Sequence, residues 1–182
     1  MPVFMDDRND ALLVRRVLAG DHRGFSDLVH RYTSPIFNLA FRLLNDRDSA
    51  ADVVQSTFMK VYENLRRYDS RYRFFSWLYR IALNESLTVL QQRRGRDPLP
   101  EDIESEDNQP DAIILEHERN SFIQSALMKL SDNERVVIVL RHFSEMSYAE
   151  IAAALGINTK TVKSRLFSAR LRLRMLLARV NR

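Results

Sequence analysis

The side chains best suited to chemistry lie near the C-terminus, where Lys160, Lys163, Ser164, Phe167 and Ser168 share one face of a helix-spaced segment. Their chemistry is recognition rather than bond breaking. Lysine reaches guanine edges or phosphates, serine bonds to either, and phenylalanine packs on a thymine methyl. Between Gly156 and Arg182 there are eight Lys or Arg and no acid, so the tail suits a polyanion. A solvated basic face on a helical bundle would explain the charge alone, but not the turn chemistry that accompanies it.

That turn chemistry lies in Ser147 to Arg174, SYAEIAAALGINTKTVKSRLFSARLRLR, which reads as a short capped helix, a glycine turn and a second helix. The order is that of a helix-turn-helix. Ile151 and Leu155 supply the buried side of the first helix, Gly156 suits a left-handed residue at its end, and Ile157 fills the angle between the helices. Asn158 is placed to cap the second helix. Along it Val162, Leu166, Ala169 and Leu173 step by four, three and four, which turns the basic and polar set outward.

A second group lies at residues 66 to 80, RRYDSRYRFFSWLYR, where arginines alternate with aromatics around the chain's one Trp. Aromatic faces stack on unpaired bases while arginine holds phosphates, an arrangement that tolerates strand separation. Phe74, Trp77, Leu78 and Ile81 share a helical face and read as core before contact. Arg71, Tyr72 and Arg73 in the preceding loop, with Arg80 and Asn84 along the helix, are the better candidates for DNA.

The elements that position these groups are helical. Phe25, Leu28, Tyr32, Ile36, Leu39 and Leu43 step by three and four, with Pro35 a possible kink; Val54, Phe58, Val61 and Leu65 form a second stripe. A short leading helix is expected over Asp10 to Leu18. Ile123, Ala126, Leu127 and Leu130 make a further apolar face, followed by a second capping box at Ser131-Asp132-Asn133-Glu134. No strand-length alternation competes, so the fold class is all-α.

Charge divides the 182 residues into three parts. Residues 1–96 carry 16 basic and 11 acidic side chains, residues 97–118 carry none and nine, and residues 119–182 carry 12 and four. The reading is two small helical domains, 1–96 and 119–182, joined by a flexible acidic linker, 97–118, that holds Pro98, Pro100 and Pro110. Cysteine is absent, which excludes thiolate metal sites and cysteine nucleophiles. The four His are scattered without metal-ligand spacing, and there is no phosphate-binding glycine loop, so no catalytic residue, metal or cofactor is expected. No apolar run approaches the roughly 18 residues of a membrane span; a cytoplasmic protein without membrane insertion is expected.

Taken together, DVVQSTFMKVYENL, FFSWLYRIALN and LSDNERVVIVLRHFSEMSYAEIAAALGINTKTVKSRLFSARLRLR resemble segments of a group IV, or extracytoplasmic function, sigma factor of the sigma-70 family. The resemblance covers nearly the whole chain. It implies a sigma-two-like bundle, a linker and a sigma-four-like helix-turn-helix, and a function in binding RNA polymerase core, directing it to promoters and opening them. Asp52, Gln55 and Met59 then fall on the helix that docks on the β′ coiled coil, the β subunit being the other polymerase partner. Tyr68, Arg71, Tyr72 and Arg73 fall in the loop that captures a flipped base of the −10 element, with Arg80 and Asn84 on the following helix. Asn158, Thr159, Lys160, Lys163, Ser164, Phe167 and Ser168 fall where the family reads the −35 element. An anti-sigma factor is a further implied partner.

Thr88 and Gln91 stand where many family members carry Asp and Arg, and Ser168 where many carry a basic residue, so the upstream and −35 contacts should differ from the common pattern. The competing reading is a helix-turn-helix repressor or activator with a helical sensing or dimerisation domain. A helical adaptor without a DNA role is opposed by the uncompensated cations after Gly156.

Overall fold

The computed structural model describes residues 7–94 and 111–178, all helix, turn or short connection, with no strand among them. The chain divides into two compact units, Met1–Val89 and Leu90–Arg182. The stretch 95–110, most of the segment read as a linker, lies outside the described residues, as do Arg179 and Arg182 of the basic tail.

The first unit contains α1 (Asp7–Leu18), α2 (His22–Leu44), α3 (Arg47–Asn64), a 3₁₀ turn (Leu65–Arg67) and α4 (Phe74–Arg94). Its caps are legible in the side chains. The Asp21 carboxylate accepts the Arg23 N–H, and Asp46 accepts those of Asp48 and Ser49, so each helix start is capped by a side chain. Asn45 ends α2 in the left-handed region, φ 53°. Gly24 allows α1 and α2 to approach: a Cβ there would lie 3.0 Å from the Leu13 carbonyl oxygen and 3.1 Å from Val17.

The core of this unit is the expected α2 stripe of Leu28, Tyr32, Ile36, Leu39 and Leu43, joined by Phe74, Leu78 and Leu83 of α4. Pro35 does not divide α2, which runs unbroken through it; its carbonyl accepts the Tyr79 hydroxyl at 3.2 Å. Asp10 is wholly buried and is held by the Tyr32 hydroxyl and, at 2.5 Å, by Arg31. This satisfies a charge that would otherwise be costly to enclose. The buried face of α3 differs from expectation. Val53 and Thr57 are buried, whereas Val54 and the α2 residue Phe25 are only half-buried.

The second unit contains α5 (Asp111–Met128), α6 (Asp132–His142), α7 (Tyr148–Leu155) and α8 (Thr159–Ala178). α5 thus begins within the acidic segment. Val136 to Leu140 of α6, Ile151 of α7 and Val162, Leu166 and Ala169 of α8 form the core. Ile123, expected with them, is 37% exposed, and Gln124 occupies the buried position beside it. Both expected capping boxes are present, at Ser131/Glu134 and Ser147/Glu150.

Candidate nucleic-acid and partner interfaces

In the second unit the geometry of the helix-turn-helix follows from its caps. Ser147 and Glu150 exchange hydrogen bonds at the start of α7, the carboxylate accepting the Ser147 N–H at 2.8 Å. Gly156 closes the helix at φ 64°, where its N–H and that of Ile157 both reach the Ala152 carbonyl. Asn158 then caps α8, its side-chain oxygen accepting the Thr161 N–H at 2.7 Å and hydroxyl at 2.9 Å. With Val162, Leu166 and Ala169 buried, Lys160, Lys163, Ser164, Phe167 and Ser168 all face outward, and Asn158 and Thr159 are exposed at the helix start. Phe167 is 72% exposed, an unusual cost for an aromatic side chain with no partner to cover it.

The orientation of α8 is fixed by contacts with α6. Arg172 Nη1 donates to Glu134 Oε2 at 3.0 Å, and Arg170 Nε donates to His142 Nε2 at 3.4 Å. The Ser131 hydrogen bond is the main cause holding the Glu134 carboxyl below its ordinary range, with Arg172 adding to it. Burial pushes the His142 imidazole down, as do the Arg170 and Arg141 charges. Arg141 itself donates to the Met146 carbonyl at 2.9 Å and lies over the Tyr148 ring, which braces the turn into α7.

In the first unit the loop before α4 is strongly organised. Asp69 accepts the Arg71 N–H at 3.0 Å, and the Tyr72 N–H reaches the Asp69 carbonyl, making a tight turn. The Tyr68 hydroxyl donates to the Tyr72 carbonyl at 2.5 Å and closes the loop. The Tyr68 ring leans on Phe74 and Trp77, with centroids 5.5 and 5.3 Å away. Of the loop residues expected to meet DNA, Tyr68 is therefore committed to shaping the loop, while Tyr72 projects outward, 69% exposed. Arg71 pairs with Asp69, whose carboxyl it lowers from the ordinary range. Arg73 is exposed at the start of α4, and Arg80 and Asn84 lie exposed further along it.

Sequence spacing did not reveal a groove of 430 Å³ beside this loop, lined by Lys60, Asn64, Arg67, Trp77, Ile81, Asn84 and Glu85. It joins Asn84 to residues of α3 some twenty positions earlier. Trp77 and Ile81, expected in the core, are half-buried because they form its apolar wall.

Asp52, Gln55 and Met59 are exposed on α3. Gln55 and Met59 border a second, apolar groove of 680 Å³ with Phe25, Val29, Val54 and Phe58, whereas Asp52 does not line it. Met59 and Tyr62 on its rim are 57% and 49% exposed. Met59 and Tyr62, two apolar side chains one turn apart, are the sequence signal for this groove, and Phe25 and Val54, expected in the core, are half-buried in its lining.

Two family profiles match the chain: Sigma-70 region 2 over residues 28–96, and Sigma-70 region 4 over residues 123–173. The RNA polymerase sigma-H factor of Pseudomonas aeruginosa is 33% identical over 92% of this chain and 93% of its own length. The ECF RNA polymerase sigma factor SigW of Bacillus subtilis is 31% identical over 88% of this chain and 92% of its own. Among solved structures, CnrH in complex with the cytosolic domain of CnrY superposes with TM-score 0.71 at 30% identity, over 93% of this chain and 97% of that one. The sigma factor RpoE of Bartonella quintana, solved with the anti-sigma factor NepR, gives TM-score 0.70 at 28% identity over 85% and 96%. The paired region matches and the end-to-end relatives exclude a repressor with an unrelated sensing half, and the chain belongs to the extracytoplasmic function group of the sigma-70 family, as an RNA polymerase sigma factor.

Proposed function

We propose that this sigma factor divides promoter recognition between its two units, α8 reading the −35 duplex and the loop at residues 68–73 with α4 engaging the unpaired −10 strand. The observation that carries this reading is the outward face of α8: Lys160, Lys163, Ser164, Phe167 and Ser168 exposed together on a capped, braced helix. A recognition helix entering the major groove needs such a face. Tyr72, exposed on a loop that Tyr68 and Asp69 hold rigid, is presented for stacking on a base without an ordering cost.

The partner of α3 in this reading is the β′ coiled coil of RNA polymerase core, met by Asp52, Gln55 and Met59; the polymerase's β subunit is the further core partner. The apolar groove beside Gln55 and Met59 supports an amphipathic helical partner, since it supplies area and its rim supplies polar contacts. A sigma factor performs no catalysis; the polymerase supplies it. Among the described residues no helix is long and apolar enough to cross a membrane. In this reading the protein acts in the cytoplasm, beside its template. The regulator in this scheme is an anti-sigma factor, a reading supported by the structural neighbour solved with NepR. The testing experiment is in vitro transcription of genomic fragments by core polymerase with and without the chain. Transcripts that require the chain and share upstream motifs support the reading; transcripts independent of the chain refute it.

A further inference from the structure

The groove between α3 and α4 contains a carboxylate, although the backbone of an incoming single strand is itself anionic. Glu85 Oε1 accepts from Lys60 Nζ at 2.5 Å, and the Glu85 side chain is 16% exposed while that of Lys60 is 51% exposed. The remaining lining suits a nucleotide: Asn64 and Asn84 are polar, Trp77 and Ile81 are apolar, and Arg67 is cationic. An acid at this position repels phosphate, and an exposed ion pair contributes little to stability by itself. Its effect is better sought in what it does to Lys60. A lysine ammonium is a point charge on a flexible stem that binds any phosphate within reach, and each phosphate so neutralised adds affinity without sequence information.

We infer that Glu85 is a specificity-determining residue that holds Lys60 off the DNA backbone, so that capture of the open strand depends on base contacts in the groove rather than on an additional phosphate contact. The inference rests on the −10 role proposed for this unit, and extends it to a pair of residues that sequence spacing did not join. Release of Lys60 would tighten binding to any single strand and flatten the difference between a promoter strand and an unrelated one. Arg67 remains available in the groove as a phosphate partner in either case.

The test uses the full chain assembled with RNA polymerase core, and two fluorescein-labelled probes: the non-template −10 strand of a promoter the chain uses, and a thymidine homopolymer of equal length. Affinity is measured from 50 mM to 1 M salt for the parent, Glu85→Gln, Lys60→Met and the double variant. Glu85→Gln is expected to bind the homopolymer about five- to tenfold tighter at 50 mM salt, with a log–log salt slope steeper by about 0.7, the increment for one phosphate on a single strand. Its preference for the −10 strand should shrink by a similar factor. In the Lys60→Met background Glu85→Gln should change neither slope nor preference. Circular dichroism melts show that each variant is folded. An unchanged slope in Glu85→Gln, or the same change with Lys60 absent, overturns the inference while leaving the −10 role intact. A parent holoenzyme that binds neither strand removes the −10 role and the inference with it.

Discussion

Glu134 Oε2 accepts Arg172 Nη1 at 3.0 Å and, on the same oxygen, the Ser131 hydroxyl at 2.7 Å. One carboxylate thereby caps α6 and tethers the middle of α8, so the helix bearing the outward residues Lys160, Lys163 and Phe167 is indexed to the start of its neighbour. The capping bond and the tether are lost together when this side chain is truncated.

Glu134→Ala should therefore destabilise the second unit by about 1 kcal/mol, the usual size of a helix-cap contribution. The sign with pH is set by the lowered Glu134 carboxyl. A carboxyl depressed in the folded state adds stability above its unfolded value, about 4.3, and that stability is lost as pH falls through the folded value. Thermal melts of parent and variant between pH 3 and 7 check this: their difference should be full at pH 7 and shrink below about pH 4.

Lys163→Ala should weaken binding to −35 duplex. If Lys163 reads a guanine, roughly 1 to 3 kcal/mol of discrimination at one base pair is lost; if it meets phosphate, the loss is uniform across sequences and the salt slope falls by about one. Phe167→Ala should lower affinity selectively for sites carrying a thymine methyl and leave the melting temperature unchanged, because the ring is 72% exposed. Fluorescence anisotropy on a panel of single-base variants separates these outcomes.

Asp52→Arg should reduce affinity for core polymerase with no loss of fold, since Asp52 is exposed and lies outside the groove lined by Gln55 and Met59. Met59→Ala tests the groove independently through its apolar rim. Surface-bound core polymerase titrated with each variant reads both effects; unchanged affinity in both would remove α3 as the docking element.

Residues 97–118 carry nine acids and no Lys or Arg, against a basic remainder. Acidic side chains compete with phosphates over about 10 Å at 0.1 M salt. Neutralising Glu101, Asp102, Glu104, Glu106 and Asp107 together should tighten binding of free protein to duplex DNA, most strongly at low salt. Titrations of parent and variant across salt check this, and equal affinities throughout would discard the effect.

The parts of the fold governed by local rules were legible in the sequence. Ser131 with Glu134, Ser147 with Glu150, Gly156 and Asn158 each act on residues within four positions, so their types and spacing announce the caps and the turn. The stripe of Val162, Leu166 and Ala169 is equally local, and it fixed the outward set on α8. The position of Val54 is not legible in the same way, because Val53, Val54, Thr57 and Phe58 are compatible with two adjacent faces and only the packing of α2 decides between them. Lys60 and Glu85 are 25 residues apart, and nothing in either segment declares their meeting. Tyr68 and Tyr72 look equivalent in sequence; the hydrogen bond from one to the other's backbone makes the first a support and leaves the second exposed.

In the proposed mechanism, recognition and opening reside in different units and both require the polymerase. The direct measurement is 2-aminopurine fluorescence from the −10 element of a promoter the chain uses, with core polymerase, the chain, or both. Fluorescence should rise only when both are present. Tyr72→Ala should retain −35 binding yet lose most of the rise, and Lys163→Ala should be rescued by a pre-melted template. A full rise with Tyr72→Ala, together with a Lys163→Ala defect that persists on pre-melted DNA, would contradict the account.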